Sequence, residues 1–251
     1  MRAVSAAPLP YRDFYYPLNV FMHILTHEEG GADALHYGLF ERADESLLAA
    51  QERSTELLLS RLPKPPARLL EAGIGLGTTL NRLASMGYTV TGITPDDKQI
   101  AMVRARYDSL DVQCSRFEDF TGGPFDCVFF QESSQYIDSL ALFAKAAELT
   151  SHVIVLDEFA LREEGTLHRY DAFLAAARQH GFTLEEEVDL SRKAPPTIDY
   201  FRLRLPRYRE ALIADLGLTS QQVDDLIESG RTYRELYDRG VYGYRLVQFR
   251  R

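Results

Sequence analysis

The chain changes character at about residue 67. From there, short apolar runs alternate with stretches of helical period. "ARLLEA" (Ala67–Ala72) is an apolar run of strand length, and "TTLNRLASMG" reads as a helix closed by Gly87. "YTVTGIT" predicts a second strand. "DDKQIAMVRARY" predicts a helix whose acidic residues sit at its N-terminus, where the helix dipole favours them. "DVQCS" and "FDCVFFQ" read as the third and fourth strands, "SLALFAKAAELT" as a helix, and "HVIVLDEF" as a fifth strand. That fifth run is continuously apolar, as expected when both faces of a sheet are covered. "LHRYDAFLAAARQHGF" predicts a further helix, and "TLEEEVDL" and "YGYRLVQFR" the last two strands. Upstream, Leu47, Leu48, Leu58, Leu59 and Leu62 share related helical faces from Asp44 until "PKPP" ends the pattern. The first 40 residues are aromatic and irregular.

Seven strands alternating with helices predict an α/β fold, a doubly wound and mainly parallel seven-stranded sheet. About fifty residues, Ser191 to Gly240, separate the last two strands and are mostly helical in pattern. That is too long for a simple connection, so a helical lid inserted before the last strand is expected. The expected organisation is one domain over 1–251. It comprises an N-terminal cap segment (1–43), a cofactor-binding core (44–190), the lid (191–240) and the last strand (241–251).

The candidate chemistry lies in "LLEAGIGLGTTL" (Leu69–Leu80), where Gly73, Gly75 and Gly77 alternate after the first strand. A strand, a glycine-rich turn and a helix bring backbone N–H groups and a helix N-terminus to a ligand. A dinucleotide site wants Gly or Ala at the sixth position of the turn and an acid at the end of the second strand. This chain has Thr78 and Thr94 there, which serves a pyrophosphate and a nicotinamide dinucleotide poorly.

The same stretch resembles the first motif of class I S-adenosylmethionine-dependent methyltransferases, an acid followed by x-G-x-G-x-G at a strand end. "LHYGLFERADESLLAAQERSTELLLSRLP" and "VTGITPDDKQIAMVRAR" extend the resemblance. They are similar to the branch holding cyclopropane-fatty-acid synthases and sterol or small-molecule methyltransferases, over about His36–Leu190. The resemblance implies a Rossmann-like sheet, S-adenosyl-L-methionine as methyl donor, S-adenosyl-L-homocysteine as product, and a small-molecule acceptor. It implies that Gly73 and Gly75 admit the donor's methionine end and ribose, that Glu71 serves its ammonium, and that Tyr37 caps its carboxylate. Thr94 and Gln99 would hold the ribose hydroxyls, Pro95 would pack on adenine, and Phe117 and Glu118 would surround that ring. Gln131 to Tyr136, after the fourth strand, would line the site of transfer.

Methyl transfer is an in-line displacement that needs alignment, exclusion of water and sometimes removal of one proton. Gln135 and Tyr136 are the candidates for orienting the acceptor, and His36 or Glu132 for taking a proton. Cyclopropane synthases carry a glutamate where Gln135 falls, so N-, O- or C-methylation is favoured over cyclopropanation. The alternatives are an NAD(P)-dependent oxidoreductase and a cofactor-binding protein of the same fold without turnover.

Charge narrows the partners. Lys and Arg number 28 against 37 Asp and Glu, a net charge of −9, which disfavours nucleic acid. The apolar runs are too short to span a membrane, and "MRAVSAAPLPYRDF" lacks a leader's apolar core, so a cytoplasmic monomer or homodimer is expected. Cys114 and Cys127 read as free thiols. His23, His27 and Glu28 in "MHILTHEE" lack a third ligand, so no metal is expected, and the stretch is read as a helix whose histidines face solvent or the lid. Arg202, Arg204, Arg207 and Arg209 either attract an anionic group or pair with neighbouring acids.

Overall fold

A computed structural model describes residues 9–42 and 44–251; residues 1–8, the first part of the stretch read as lacking a leader's apolar core, and Ala43 lie outside them. The strands are β1 (Arg68–Ala72), β2 (Thr89–Thr94), β3 (Asp111–Cys114), β4 (Cys127–Gln131), β5 (His152–Ala160), β6 (Thr183–Asp189) and β7 (Tyr242–Arg250). They form one sheet in the order β3-β2-β1-β4-β5-β7-β6. The first five are parallel, and β7 is antiparallel to both β5 and β6. The doubly wound, mainly parallel sheet read from the sequence is therefore present.

The helices are α1 (Leu18–Glu29), α2 (Leu47–Leu59), α3 (Thr78–Ser85), α4 (Asp97–Arg106), α5 (Ser139–Leu149), α6 (Tyr170–Gln179), α7 (Pro196–Leu216) and α8 (Ser220–Asp238). Their starts follow local chemistry. Ser46, Asp96, Asp138 and Thr219 each accept a backbone N–H as N-caps, and Thr219 with Gln222 completes a capping box. No described helix is long and apolar enough to cross a membrane.

Why the central strands are apolar on both faces is plain from the packing. Leu69, Phe129, Ile154, Leu156, Tyr244 and Leu246 face one core with α2 and α3. Leu70, Val128, Phe130, Val153, Val155 and Phe249 face a second core with α5 and α6. At the outer edge, β6 is mostly exposed and acidic, and charge there discourages pairing with another edge.

Two expectations need correction. The first 40 residues are not all irregular: α1 lies within them, and it packs on α7 through Val20, Ile24, Leu25, Tyr200, Leu205 and Leu212. Only its C-terminal part, "MHILTHEE", reads as a helix in the sequence; the structure extends it back to Leu18. The helix expected from Leu167 starts at Tyr170, because the chain is still extended at Arg169, which bridges to Ala160.

Phe143 is wholly buried and meets the edges of Phe173 (4.9 Å between centroids) and Phe249 (5.1 Å). Phe143→Ala should destabilise the fold by about 3–5 kcal/mol, read by urea denaturation. A loss below about 1 kcal/mol would show that this core repacks.

Candidate active site

The three glycines of the turn between β1 and α3 all have positive φ, but they do different things. A Cβ on Gly73 would fall 2.3 Å from Ser133 Cβ, so this glycine lets the ends of β1 and β4 touch. A Cβ on Gly77 would fall 2.8 Å from Val103 Cγ1, so it lets α3 lie against α4. At Gly75 the nearest atom is Leu35 Cδ1 at 3.7 Å. Only here does the missing side chain leave room.

Glu71 ends β1 just before this turn. Its side chain is 3% exposed and its Oε2 has no hydrogen-bond partner. Burial pushes its carboxyl up to about 8. Beside it, Thr79 Oγ1 donates to Gln131 Oε1 (3.2 Å), leaving Gln131 Nε2 without a partner, as is Thr78 Oγ1. A cavity of about 330 Å³ opens between α2 and the N-terminus of α3, lined by His36, Gln51, Thr55, Thr78, Thr79 and Arg82 among others.

At the end of β2, Thr94 Oγ1 donates to Gln99 Oε1 (3.0 Å). Asp96, the nearby acid, caps α4 by accepting from Lys98 N and Gln99 N. Pro95 is exposed. Phe117 is buried edge-on against Phe130 (5.0 Å), so its ring belongs to the core and can form a floor rather than a free face. Glu118 pairs with Arg116 at 2.7 Å, which offsets the cost of its partial burial and keeps its pKa low.

The segment after β4 holds the densest polar network. Glu132 adopts φ 56°, the one positive φ of a non-glycine residue among the described residues. Its Oε1 accepts the Tyr37 N–H and the Tyr244 hydroxyl. Burial, reinforced by Glu158 and Asp157, pushes Glu132 well above the carboxylate range. Asp157, raised by burial to about 6, accepts from Ser134 N (2.9 Å) and Ser134 Oγ (2.6 Å). Glu158, raised by burial to about 7, accepts the Tyr237 hydroxyl at 2.7 Å. The Tyr37 and Tyr244 rings stack at 5.7 Å, tilted by 8°.

Several sequence candidates occupy other settings. His36 has both ring nitrogens engaged, Nδ1 with Tyr37 O (3.0 Å) and Nε2 with Thr55 Oγ1 (3.0 Å), and burial lowers its pKa to about 4. It is built to hold α2 to the N-terminal segment. Gln135 donates to Glu158 O and accepts from His168 N (2.9 Å), so its amide braces backbone. Tyr136 is 75% exposed at the rim of the site.

The four arginines pair within the structure: Arg202 with Asp199, Arg204 and Arg207 with Glu28, and Arg209 with Asp224. His23 is fully buried, edge-on to Tyr11 and to Tyr208 of α7 in the lid segment, and His27 is exposed. Among the described residues no group of three or more His, Cys, Asp or Glu could hold a metal. Sequence reasoning missed Thr78, Thr79, Asp157, Glu158 and Tyr244. The signal was there in "IVLDEFA", where two acids interrupt a strand otherwise apolar on both faces.

Residues 70–150 match the family model described as a methyltransferase domain. Over those residues the chain is similar to methyltransferase domains. An O-methyltransferase of Pyrenophora dematioidea is 34% identical over 84 residues, so the match spans about a third (32%) of that relative and of this chain. The cyclopropane synthase MmaA2 of Mycobacterium tuberculosis is similar in fold, with TM-score 0.78 and 18% identity, over 87% of this chain and 90% of that one. Geranyl diphosphate C-methyltransferase of Streptomyces coelicolor A3(2) covers 98% of this chain and 100% of its own, with TM-score 0.68 and 18% identity. The [4+2]-cyclase SpnF shares the fold at TM-score 0.76 and 20% identity, over 91% of each chain. These likenesses establish the fold, a Rossmann-like seven-stranded sheet with helices on both faces.

Glu71 and Glu158 keep protons that the unfolded chain releases at its ordinary carboxylate pKa. Their raised values add stability that is complete at low pH and disappears as pH climbs through about 7 and about 8. The thermal midpoint of the free protein should therefore be lower at about pH 8.5 than at about pH 6.5, and Glu71→Gln should flatten the difference. A midpoint that rises over this interval would contradict the assignment.

Proposed function

We propose that this protein transfers a methyl group from S-adenosyl-L-methionine to an N, O or C atom of a small-molecule acceptor. The observation that carries this reading is the free space over Gly75 beside the unpartnered, buried Glu71 carboxylate. A buried acid with no cation fits a ligand bearing an ammonium group, and the residues present suit the donor. Glu71 would accept from the donor's ammonium. Thr78 and Thr79, at the N-terminus of α3, would meet its carboxylate, which suits the unpartnered Thr78 hydroxyl. Tyr37 would serve that end through its place in the cap. Thr94 and Gln99, already in contact, would hold the ribose, with Pro95, Phe117 and Glu118 around adenine. The donor, when bound, supplies an electrophilic methyl.

The acceptor's side of the site would be the tyrosine-walled space at the ends of β4, β5 and β7. Glu132 is better placed than His36 to take a proton, since both nitrogens of His36 are occupied. Gln135 would act by shaping the turn, and Tyr136 by lining the entrance. The N-terminal segment would close the site with α7 and α8 as lid, excluding water while the acceptor is aligned. Thr94 at the end of β2 leaves a nicotinamide dinucleotide without the acid its ribose wants.

Isothermal titration with S-adenosylhomocysteine should show saturable binding. Gly75→Val should weaken it by about 100-fold or more, because a side chain fills the space and strains a φ of 50°. Folded wild-type protein without binding at high micromolar ligand would overturn the reading. Labelled donor incubated with a metabolite extract then separates turnover from cofactor binding alone.

A further inference from the structure

Glu71 and Glu132 end the paired strands β1 and β4, on either side of the contact between Gly73 and Ser133. Neither has a cation. Glu71 is raised by burial alone, and among the described residues no charged group is registered against it. Glu132 faces Asp157 and Glu158 of β5, the Tyr37 phenol and N–H of the N-terminal segment, and the Tyr244 phenol of β7. Tyr237 of α8 stands behind, on Glu158. These groups are acids and phenols; the imidazole of His168 stands further off, on Ser134 O (3.3 Å). The unpartnered Oε2 of Glu71 is the independent sign that a donor group is wanted here.

A carboxyl group in such surroundings keeps its proton until positive charge arrives, because desolvation and like charge both oppose ionisation. S-adenosylmethionine carries two such charges, an ammonium and a sulfonium, and S-adenosylhomocysteine keeps only the ammonium. We propose that Glu71 and Glu132 stay protonated in the free protein and ionise when the donor binds, Glu71 against its ammonium and Glu132 against its sulfonium. The inference rests on the methyltransferase reading. In each case an O–H bond of the carboxyl group breaks and the proton passes to the buffer. Glu132 is then left as a carboxylate, ready for the proton that an N–H or O–H acceptor gives up.

Titration calorimetry in phosphate and in Tris, whose heats of ionisation differ, counts the protons. At about pH 7, S-adenosylhomocysteine should release about one proton per site and S-adenosylmethionine about one more. Sinefungin, with an amine in place of the sulfonium, should resemble S-adenosylmethionine. Glu132→Gln should remove the difference between the two cofactors, and Glu71→Gln should lower the release for both. Binding of S-adenosylmethionine should also tighten by up to about tenfold per proton for each pH unit as pH rises toward 8. These wild-type readouts stand even if a variant fails to fold. Binding without buffer dependence would overturn the proposal, and equal release by both cofactors would overturn the role of Glu132. No binding heat from any of the three would instead overturn the functional reading beneath it.

Discussion

The polar cluster after β4 is organised around one carboxyl group. Glu132 sits in the left-handed region of backbone space and accepts from Tyr37 and Tyr244, which are far apart in sequence but stacked ring on ring. A buried carboxyl oxygen is costly unless its lone pairs are met, so these bonds tie the N-terminal segment and β7 to the end of β4. One strand along, on β5, Tyr237 of α8 donates to Glu158. The cap and the last strand are thus registered on one acid, and α8 on another.

The sheet explains why the acids gather where they do. Its central strands are apolar on both faces, so polar side chains can stand only where the strands stop. In a parallel sheet the carboxyl ends of β1, β2 and β4 stop together, beside the turn after β1. Chemistry and topology therefore coincide there. Phe117 shows the boundary: next to the exposed Arg116 beyond β3, it already belongs to the core.

The architecture was legible because apolar periodicity follows from burial, and burial on two faces leaves an unmistakable run such as "HVIVLDEF". The glycine turn was legible because positive φ removes most alternatives to glycine. Its three glycines could not be told apart, since what each would touch (Ser133, Leu35 or Val103) depends on distant parts of the chain. The same limit governs the polar site. Gln135 and His36 have the residue types of functional groups, and only the fold shows their atoms bound to backbone carbonyls, an N–H and a hydroxyl. Thr78 and Thr79 looked like ordinary helix starters until Gln131 was found beside them.

The stretch that matches the family model, 70–150, contains Glu132 but neither of its hydrogen-bond partners. Tyr37 precedes it and Tyr244 follows it by almost a hundred residues. The recognisable motif is therefore not a minimal working unit. A fragment cut at its borders would retain the glycine turn yet leave its central acid facing water, with nothing to hold either wall of the pocket. Boundaries for expression or transplantation of this domain have to be drawn outside Tyr37 and Tyr244.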